Sequence, residues 1–320
     1  MSDFTTSGLN SLKFREELSN ELDKALVQKS VVTGFLDNGF ASKFVGTKTV
    51  LLPDVSFVGL GDYDRAEGFP EGGITVDHKP YTLTQERARR FYFDREDMDE
   101  VGIAGLSGQI MGEFVRTKVA PEMDAYCLSK LAVIADNDET KRHNVVSLAA
   151  NKTMADGCVG VLSEAIKQVQ NIVGFDEELI ALCGSDFYGA LMSTPELTRR
   201  LDVGDFKKGE ISTKVRKLDE CWIKPVPMSR MKTAYTFNDG VTDGQKDGGF
   251  VAKKVEGKNE NIGCIVLPKK VAKLVKKLEK TRIFSPEQCQ KKDAWQFDYR
   301  LYYDMLVKNS ELDSIWIFTY

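Results

Sequence analysis

No stretch of this 320-residue chain approaches the roughly 18 uninterrupted apolar residues of a membrane-spanning helix. The opening residues Met1, Ser2, Asp3 and Phe4 lack a basic region followed by an apolar one, so no secretory signal is expected. Histidine is nearly missing. The two copies, His78 and His143, sit in polar, loop-like surroundings. A zinc centre or a Ser–His–Asp site needs an imidazole steadied by a partner behind it, and neither surrounding supplies one. The six cysteines (Cys127, Cys158, Cys183, Cys221, Cys264, Cys289) are dispersed and form no C-x-x-C. They read as reduced, buried small hydrophobes of a chain folded in the cytosol. A basic surplus is absent too, with 44 Lys and Arg against 48 Asp and Glu. That disfavours a dedicated nucleic-acid binder, which carries cations to replace phosphate counterions. No P-loop motif occurs, and Gly59-Leu60-Gly61 lacks the strand–helix setting of a dinucleotide loop. Nothing assembles a nucleophile, a base and an orienting group. The reading is a non-enzyme with no cofactor and no metal.

What remains is ordinary globular composition, 42% hydrophobic and 29% charged, in a chain long enough for one or two domains. Residues 10–29 form an amphipathic helix candidate with Phe14, Leu18, Leu22, Ala25 and Leu26 on one stripe. Its polar approach suggests an arm. Thr49 to Val58 is strand-like, with Pro53 at an edge or bulge. The glycine-rich, charged stretch that follows has little apolar content, and residues 62–88 read as an exposed β-excursion without an apolar face. A ribbon of that kind cannot bury itself, and the surface it needs is a copy of the same chain.

Asp94, Glu96, Asp97, Asp99 and Glu100 suit the positive start of a helix better than a cation site, since they lack EF-hand spacing. The helical pattern runs to Ala135, with glycines 102, 105, 108 and 112 inviting close packing, and Pro121 demands a kink or a new helix near Ala120. Polar residues 136–153 form a loop and the best boundary; the Asn151-Lys152-Thr153 sequon there reads as chance. Val161 to Val173 is an amphipathic helix stopped by Gly174. Leu179 to Cys183 and Val215 to Val226 are strands, and 185–192 and 195–201 short helices. Residues 238–260 are a loop, and Ile262 to Leu267 is a strand covered on both faces. The lysine-rich run from Lys269 to Arg282 has helical apolar spacing, although a strand also fits, and its charges read as a solvated face. Trp295, Phe297, Tyr299, Leu301 and Tyr303 alternate with polar residues as a long half-buried strand, and Ser314 to Thr319 is a last one.

The order of segments resembles the major capsid proteins of tailed bacteriophages. The matching residues are Thr49-Val50-Leu51 before Gly59-Leu60-Gly61-Asp62-Tyr63, then Thr82-Leu83-Thr84 through Arg87, and Phe91-Tyr92-Phe93-Asp94 with Asp97 and Glu100. They continue with Pro121-Glu122-Met123-Asp124-Ala125-Tyr126, Ile283-Phe284-Ser285-Pro286, and Arg300-Leu301-Tyr302-Tyr303-Asp304. The likeness runs from about Val31 to the end. The capsid fold is shared by tailed phages, herpesvirus capsid floors and bacterial encapsulin shells. It implies an α+β chain in four parts: an N-terminal arm (1–46), an extended β-loop with flanking strands (47–93), a peripheral domain with a long spine helix (94–150 and 285–310), and an axial domain (151–284 and 311–320).

The implied function is mechanical. Copies form hexamers and pentamers that close an icosahedral head around double-stranded DNA, without sequence-specific contact, in a virion assembled in the host cytoplasm. Partners would be the chain itself, with scaffolding, portal and decoration proteins, and no membrane. The contact residues implied are Asp62, Tyr63, Arg65, Glu67, His78, Lys79, Tyr81, Glu86 and Arg87 on the loop, and Leu18 and Leu22 on the arm. Some relatives join a loop lysine to a neighbour's asparagine. Lys79 lies in the loop, but the asparagine and acid find no match. With the likeness starting near Val31, a separate scaffold is expected. Three competing readings stand: an encapsulin-like nanocompartment shell, an enzyme with the loop as its lid, and a tail or adaptor protein forming rings or tubes.

Overall fold

The computed structural model describes residues 30–36, 43–45, 48–63, 65, 68–95, 103–136, 145–147, 154–194, 202–208, 211–218, 221–257 and 259–320. The expected helices at 10–29 and 195–201, His143, and the acidic residues from Glu96 to Glu100 lie outside them. In chain order the elements are β1 (Lys43–Val45), β2 (Thr49–Phe57), β3 (Ile74–Thr82), β4 (Gln85–Asp94), α1 (Ile103–Phe114), α2 (Ala120–Asp136) and β5 (Val145–Ser147). Then come α3 (Met154–Val173), β6 (Leu179–Gly184), α4 (Ser185–Ser193), β7 (Asp202–Lys208), β8 (Ile211–Leu218), β9 (Cys221–Val226), β10 (Tyr235–Phe237) and β11 (Phe250–Ala252). The chain ends with β12 (Ile262–Pro268), β13 (Lys273–Phe284), β14 (Ala294–Leu306) and β15 (Trp316–Thr319).

The break at Pro121 takes a specific form. Residues Val115–Val119 make one π-helical turn between α1 and α2, and the Ala120 N–H reaches back to the Val115 carbonyl. Proline offers no N–H, and its ring crowds the carbonyl four residues earlier; a widened turn relieves both problems. From there α2 is buried around most of its circumference. Met123, Cys127, Leu128 and Leu131 are fully enclosed. A helix apolar on nearly every side must have partners on more than one side, and α2 has two.

One partner is the seven-stranded sheet β5-β15-β12-β6-β9-β8-β7. Its Ile180, Leu182, Ile265, Leu267 and Ile317 pack in one core with α2. The opposite face of the same sheet, with Leu179, Ala181, Cys264, Val266 and Phe318, is covered by α3 and α4. That two-sided cover explains why every residue of β6 and β12 is buried and why both read as unbroken apolar runs. Gly263 is required here, because a Cβ would stand 2.4 Å from the Phe318 ring. Gly174, at φ +90°, ends α3 as anticipated.

The second partner is the three-stranded antiparallel sheet β13-β14-β4. Phe297, Tyr299, Leu301 and Tyr303 of β14 join the α2 core with Phe91 and Phe93 of β4. Phe91 and Tyr299 meet the Phe114 ring edge-on at 4.8 and 5.8 Å between centroids.

Three sequence expectations change and one is decided. Residues 273–284, whose spacing is helical although a strand also fits, form a strand paired along β14. Their Val/Leu/Lys spacing satisfies either period, and pairing with β14 decides. Residues 85–94 pair with ten residues of β14, which removes 85–88 from the exposed excursion. The single strand expected over 215–226 is two strands, β8 and β9, in an antiparallel pair. The 136–153 segment carries β5, a short parallel partner of β15.

Two carboxylates buried against α2 tie the layers together. Asp124 is inaccessible and accepts hydrogen bonds from Ser30 Oγ (2.7 Å), the Val31 N–H (2.9 Å), the Val32 N–H (3.0 Å) and Arg230 Nη1 (2.8 Å). It clamps the 30–36 segment and the 228–230 turn onto α2. Burial pushes its carboxyl up, while the donors and the Arg230 guanidinium pull the other way. Removing one member of such a pair leaves the other charge unpaired in the interior. Asp124→Ala should therefore lower stability by about 3 kcal/mol or more, measured as the urea midpoint and slope. Glu113→Ala, at an exposed ion pair with Arg116, should cost about 0.5 kcal/mol or less.

Candidate functional site

β2 and β3 form a hairpin arm, held to the body at its base. Val50, Leu52 and Leu83 pack there with Val275, Tyr302 and Leu306. Asp304, also inaccessible, fixes the β3–β4 corner. It accepts from the Thr84 N–H (3.0 Å), Thr84 Oγ1 (3.1 Å), the Tyr126 hydroxyl (3.0 Å) and the Lys130 ammonium. Thr84, at the end of the arm, is thereby tied to two residues of α2.

Beyond Leu52 the arm leaves the body. The register pairs Val55 with Val76 and Phe57 with Ile74. Residues directly opposite share a face, so these four make one apolar face. All four are exposed, Phe57 by 72%. Val58, Leu60, Tyr63 and Phe69 extend the exposure toward the tip, where the Tyr63 and Phe69 rings meet edge-on at 5.0 Å. The expectation of a ribbon without an apolar face is corrected here: its apolar residues gather on one side and round the tip. The other face carries Asp54 opposite Asp77, with Thr75 two residues on from Asp77. Lys79 Nζ bonds Asp54 at 2.9 Å, and that contact holds the Asp54 carboxyl below its usual range.

Of the residues named from the sequence, Asp62, Tyr63, Arg65, His78, Lys79 and Tyr81 lie on this arm. His78 stands in β3 opposite Pro53 rather than in a loop. Tyr81 is half-buried at the base. Glu86 and Arg87 belong to β4: Glu86 takes the Arg300 fork, and Arg87 pairs with Glu122 of α2. Glu67, Leu18 and Leu22 lie outside the described residues. Sequence reading missed Phe57, Leu60, Phe69, Ile74 and Val76. Their signal was the alternation at 55–57 and 74–76, diluted by the glycines between. Among the described residues none comes within 4 Å of the place a Cβ on Gly112 would take, so none of them calls for a glycine there.

A cleft of about 790 Å³ opens between β4, the start of α2 and residues 238–251. Phe91, Phe114, Tyr299 and Leu301 line it. Arg87 and Arg89 strap the 238–251 loop across by donating to the Gly249 and Lys246 carbonyls at 3.4 and 3.0 Å. Among the described residues no cluster of His, Cys, Asp or Glu is placed to hold a metal, and no helix is long and apolar enough to cross a membrane.

The sheet face turned away from α2 carries cross-strand charges. Asp298 receives Arg90 Nε and Nη2 at 2.6 and 2.9 Å.

No protein-family model and no curated protein matches the chain. Solved structures do. The capsid of cyanophage P-SCSP1u aligns with a TM-score of 0.59 at 12% identity, over 91% of this chain and 88% of that one. The mature capsid of bacteriophage PhiM1 aligns at 0.52 and 12%, over 85% and 82%. The virus-like particle from Pyrococcus furiosus aligns at 0.51 and 9%, over 95% and 99%. At such identities the likeness is one of fold. The chain has the α+β capsid fold over nearly its whole described length.

The Arg90 fork holds the Asp298 carboxyl below its usual range. A depressed carboxylate stabilises the fold above its unfolded pKa of about 3.9 and loses that contribution as pH falls through its folded value. Asp298→Asn should therefore flatten the acid limb of a urea-midpoint profile below about pH 4. An unchanged limb would assign acid unfolding to other carboxylates.

Proposed function

We propose that this chain is the major shell subunit of a phage head, assembling with copies of itself as hexamers and pentamers around double-stranded DNA. Its role is structural rather than catalytic, in a virion assembled in the host cytoplasm with scaffolding, portal and decoration proteins. The observation that carries the reading is the arm. A hairpin anchored at one end, with Phe57, Leu60, Phe69 and Ile74 bare to water, gains nothing for an isolated subunit. Each such side chain is worth about 1.5–3 kcal/mol once covered. A second copy supplies the cover, and standard contacts of about 800 Å² per partner, repeated round each subunit, close a shell. Asp62, Tyr63, Arg65, Glu67, His78 and Lys79 would line those contacts, and Leu18 and Leu22 would add the N-terminal one.

A second reading, an encapsulin-like compartment shell, is favoured by the likeness to the Pyrococcus furiosus particle over 99% of that chain. Contents separate the two: nuclease-protected DNA supports the head, a co-purifying enzyme the compartment.

The chain expressed alone should give closed particles, or rings of five or six subunits, in negative-stain microscopy after size exclusion. A monomer at high concentration would overturn the shell reading. Replacing residues 58–73 by a short turn should leave a cooperatively folded subunit that forms no closed particles. The excision stops short of β4, because β4 belongs to the three-stranded sheet. Unfolding of that variant would place the arm in the core. Leu18→Asp with Leu22→Asp should weaken assembly more than subunit stability; an equal loss of both would place that segment inside the subunit.

A further inference from the structure

Four of the six cysteines gather in one core. Cys158 of α3, Cys183 of β6, Cys221 of β9 and Cys264 of β12 all lie on the α3 side of the seven-stranded sheet. Cys127 belongs to the core around α2, and Cys289 is half-buried beside Gln296. Within the group of four, one pair is in contact. Cys183 and Cys264 stand directly opposite each other in the antiparallel pair β6–β12. Residues so placed share a face, and the two sulfurs are 3.5 Å apart. Both residues are fully enclosed.

The strand geometry already suits a bond between them. Opposed residues of an antiparallel pair have Cα atoms about 4.5 or 5.5 Å apart, by the alternation of the ladder. Either separation falls within the span of about 4.4–6.8 Å that a disulfide bridges. The backbones also run close at this end of the pair. A Cβ on Gly184, next to Cys183, would stand 3.1 Å from the Ile262 carbonyl oxygen. Closing the bond therefore takes side-chain rotation and leaves the strand pairing as it is.

We propose that Cys183 and Cys264 are an oxidative modification site, at which a peroxide closes a disulfide between two inner strands of the seven-stranded sheet. A peroxide is small and uncharged, so a brief local opening admits it. One thiol sulfur attacks a peroxide oxygen, the O–O bond breaks, and a sulfenic acid and one water form. The second sulfur then displaces the sulfenic hydroxyl, which leaves as water with the second thiol's proton. Two thiols lose two hydrogens and two electrons, and one hydrogen peroxide becomes two waters.

The reaction is slow, because the thiolate is the attacking form and burial pushes the Cys264 thiol well up. In a reducing cytoplasm, glutathione and thioredoxin keep thiols reduced; outside it the bond accumulates. That timing rests on the shell reading, which carries the subunit out of its host. The pairing does not rest on it. The two cysteines are 81 positions apart, with β7 to β11 between them. A link across so long a loop restricts the unfolded chain, so the oxidised subunit resists unfolding more than the reduced one.

The test uses the purified full chain, reduced, desalted and held with dilute hydrogen peroxide. Free thiols are then blocked with N-ethylmaleimide in denaturant and counted by mass. The count should fall from six to four per chain, with the peptides of Cys183 and Cys264 joined. The urea midpoint should rise, and dithiothreitol should return it. Cys183→Ala and Cys264→Ala should each keep their five thiols and show no such rise. Six free thiols after prolonged exposure, including exposure in urea just below the unfolding transition, overturn the proposal. So does a bond from either cysteine to Cys158 or Cys221, or oxygen added to the sulfurs without a link. None of these outcomes touches the shell reading, since the measurement needs no particle.

Discussion

The constraint on which the structure depends is the enclosure of α2 between two sheets. A helix with apolar side chains on most of its circumference is stable in water only if both sides are covered, and here the seven-stranded sheet covers one and the three-stranded sheet the other. Such a helix cannot keep a polar residue unless the neighbours satisfy it. Asp124 is satisfied by Ser30, two backbone N–H groups and Arg230, and Tyr126 and Lys130 by Asp304. The polar residues of α2 thus become the joints between layers. Apolar packing alone is non-directional. These carboxylates select which loop and which strand end lie against the helix.

The Asp304 joint has the longest reach. It sits at the end of β14, touches α2 through Tyr126 and Lys130, and holds Thr84 at the corner between β3 and β4. The direction in which the arm leaves the body is therefore set by a buried carboxylate of β14, held against α2, and by Tyr302 and Leu83 packing below it. An arm that must meet a neighbour needs a fixed take-off angle, because an error at the base grows with distance along the hairpin. Rigid anchorage and an unsatisfied far end are complementary requirements of the proposed assembly.

Much of this architecture was legible in the sequence where one local rule applied. The unbroken run Ile262 to Leu267 specified a doubly covered strand, the alternation from Trp295 to Tyr303 a half-buried one, Pro121 a break before α2, and Gly174 the end of α3. Failures fell where two rules competed or where the deciding contact was distant. Val271, Leu274, Val275 and Leu278 fit a helical stripe, and only pairing with β14 makes the segment a strand. The apolar face of the arm was hidden because Val55 and Phe57 become one surface with Ile74 and Val76 across a hairpin whose register no local pattern gives. No local pattern marks Asp304 and Asp124 as buried, since burial of a charge is decided by what packs above it.

Structures that share this fold at 9–12% identity retain few of the same residues, and packing physics explains how. Apolar cores accept extensive replacement when volume and pattern are kept, so the enclosure of a helix between two sheets survives wide change in the residues that build it. Surfaces obey a stricter rule. A charged pair across a contact is lost when either side changes sign, and like charges brought together repel. The fold can therefore be common property while the chemistry of the contact surfaces belongs to one chain. In the proposed shell, contacts of that kind would let copies of this chain recognise one another and exclude subunits of the same fold with a different charge pattern.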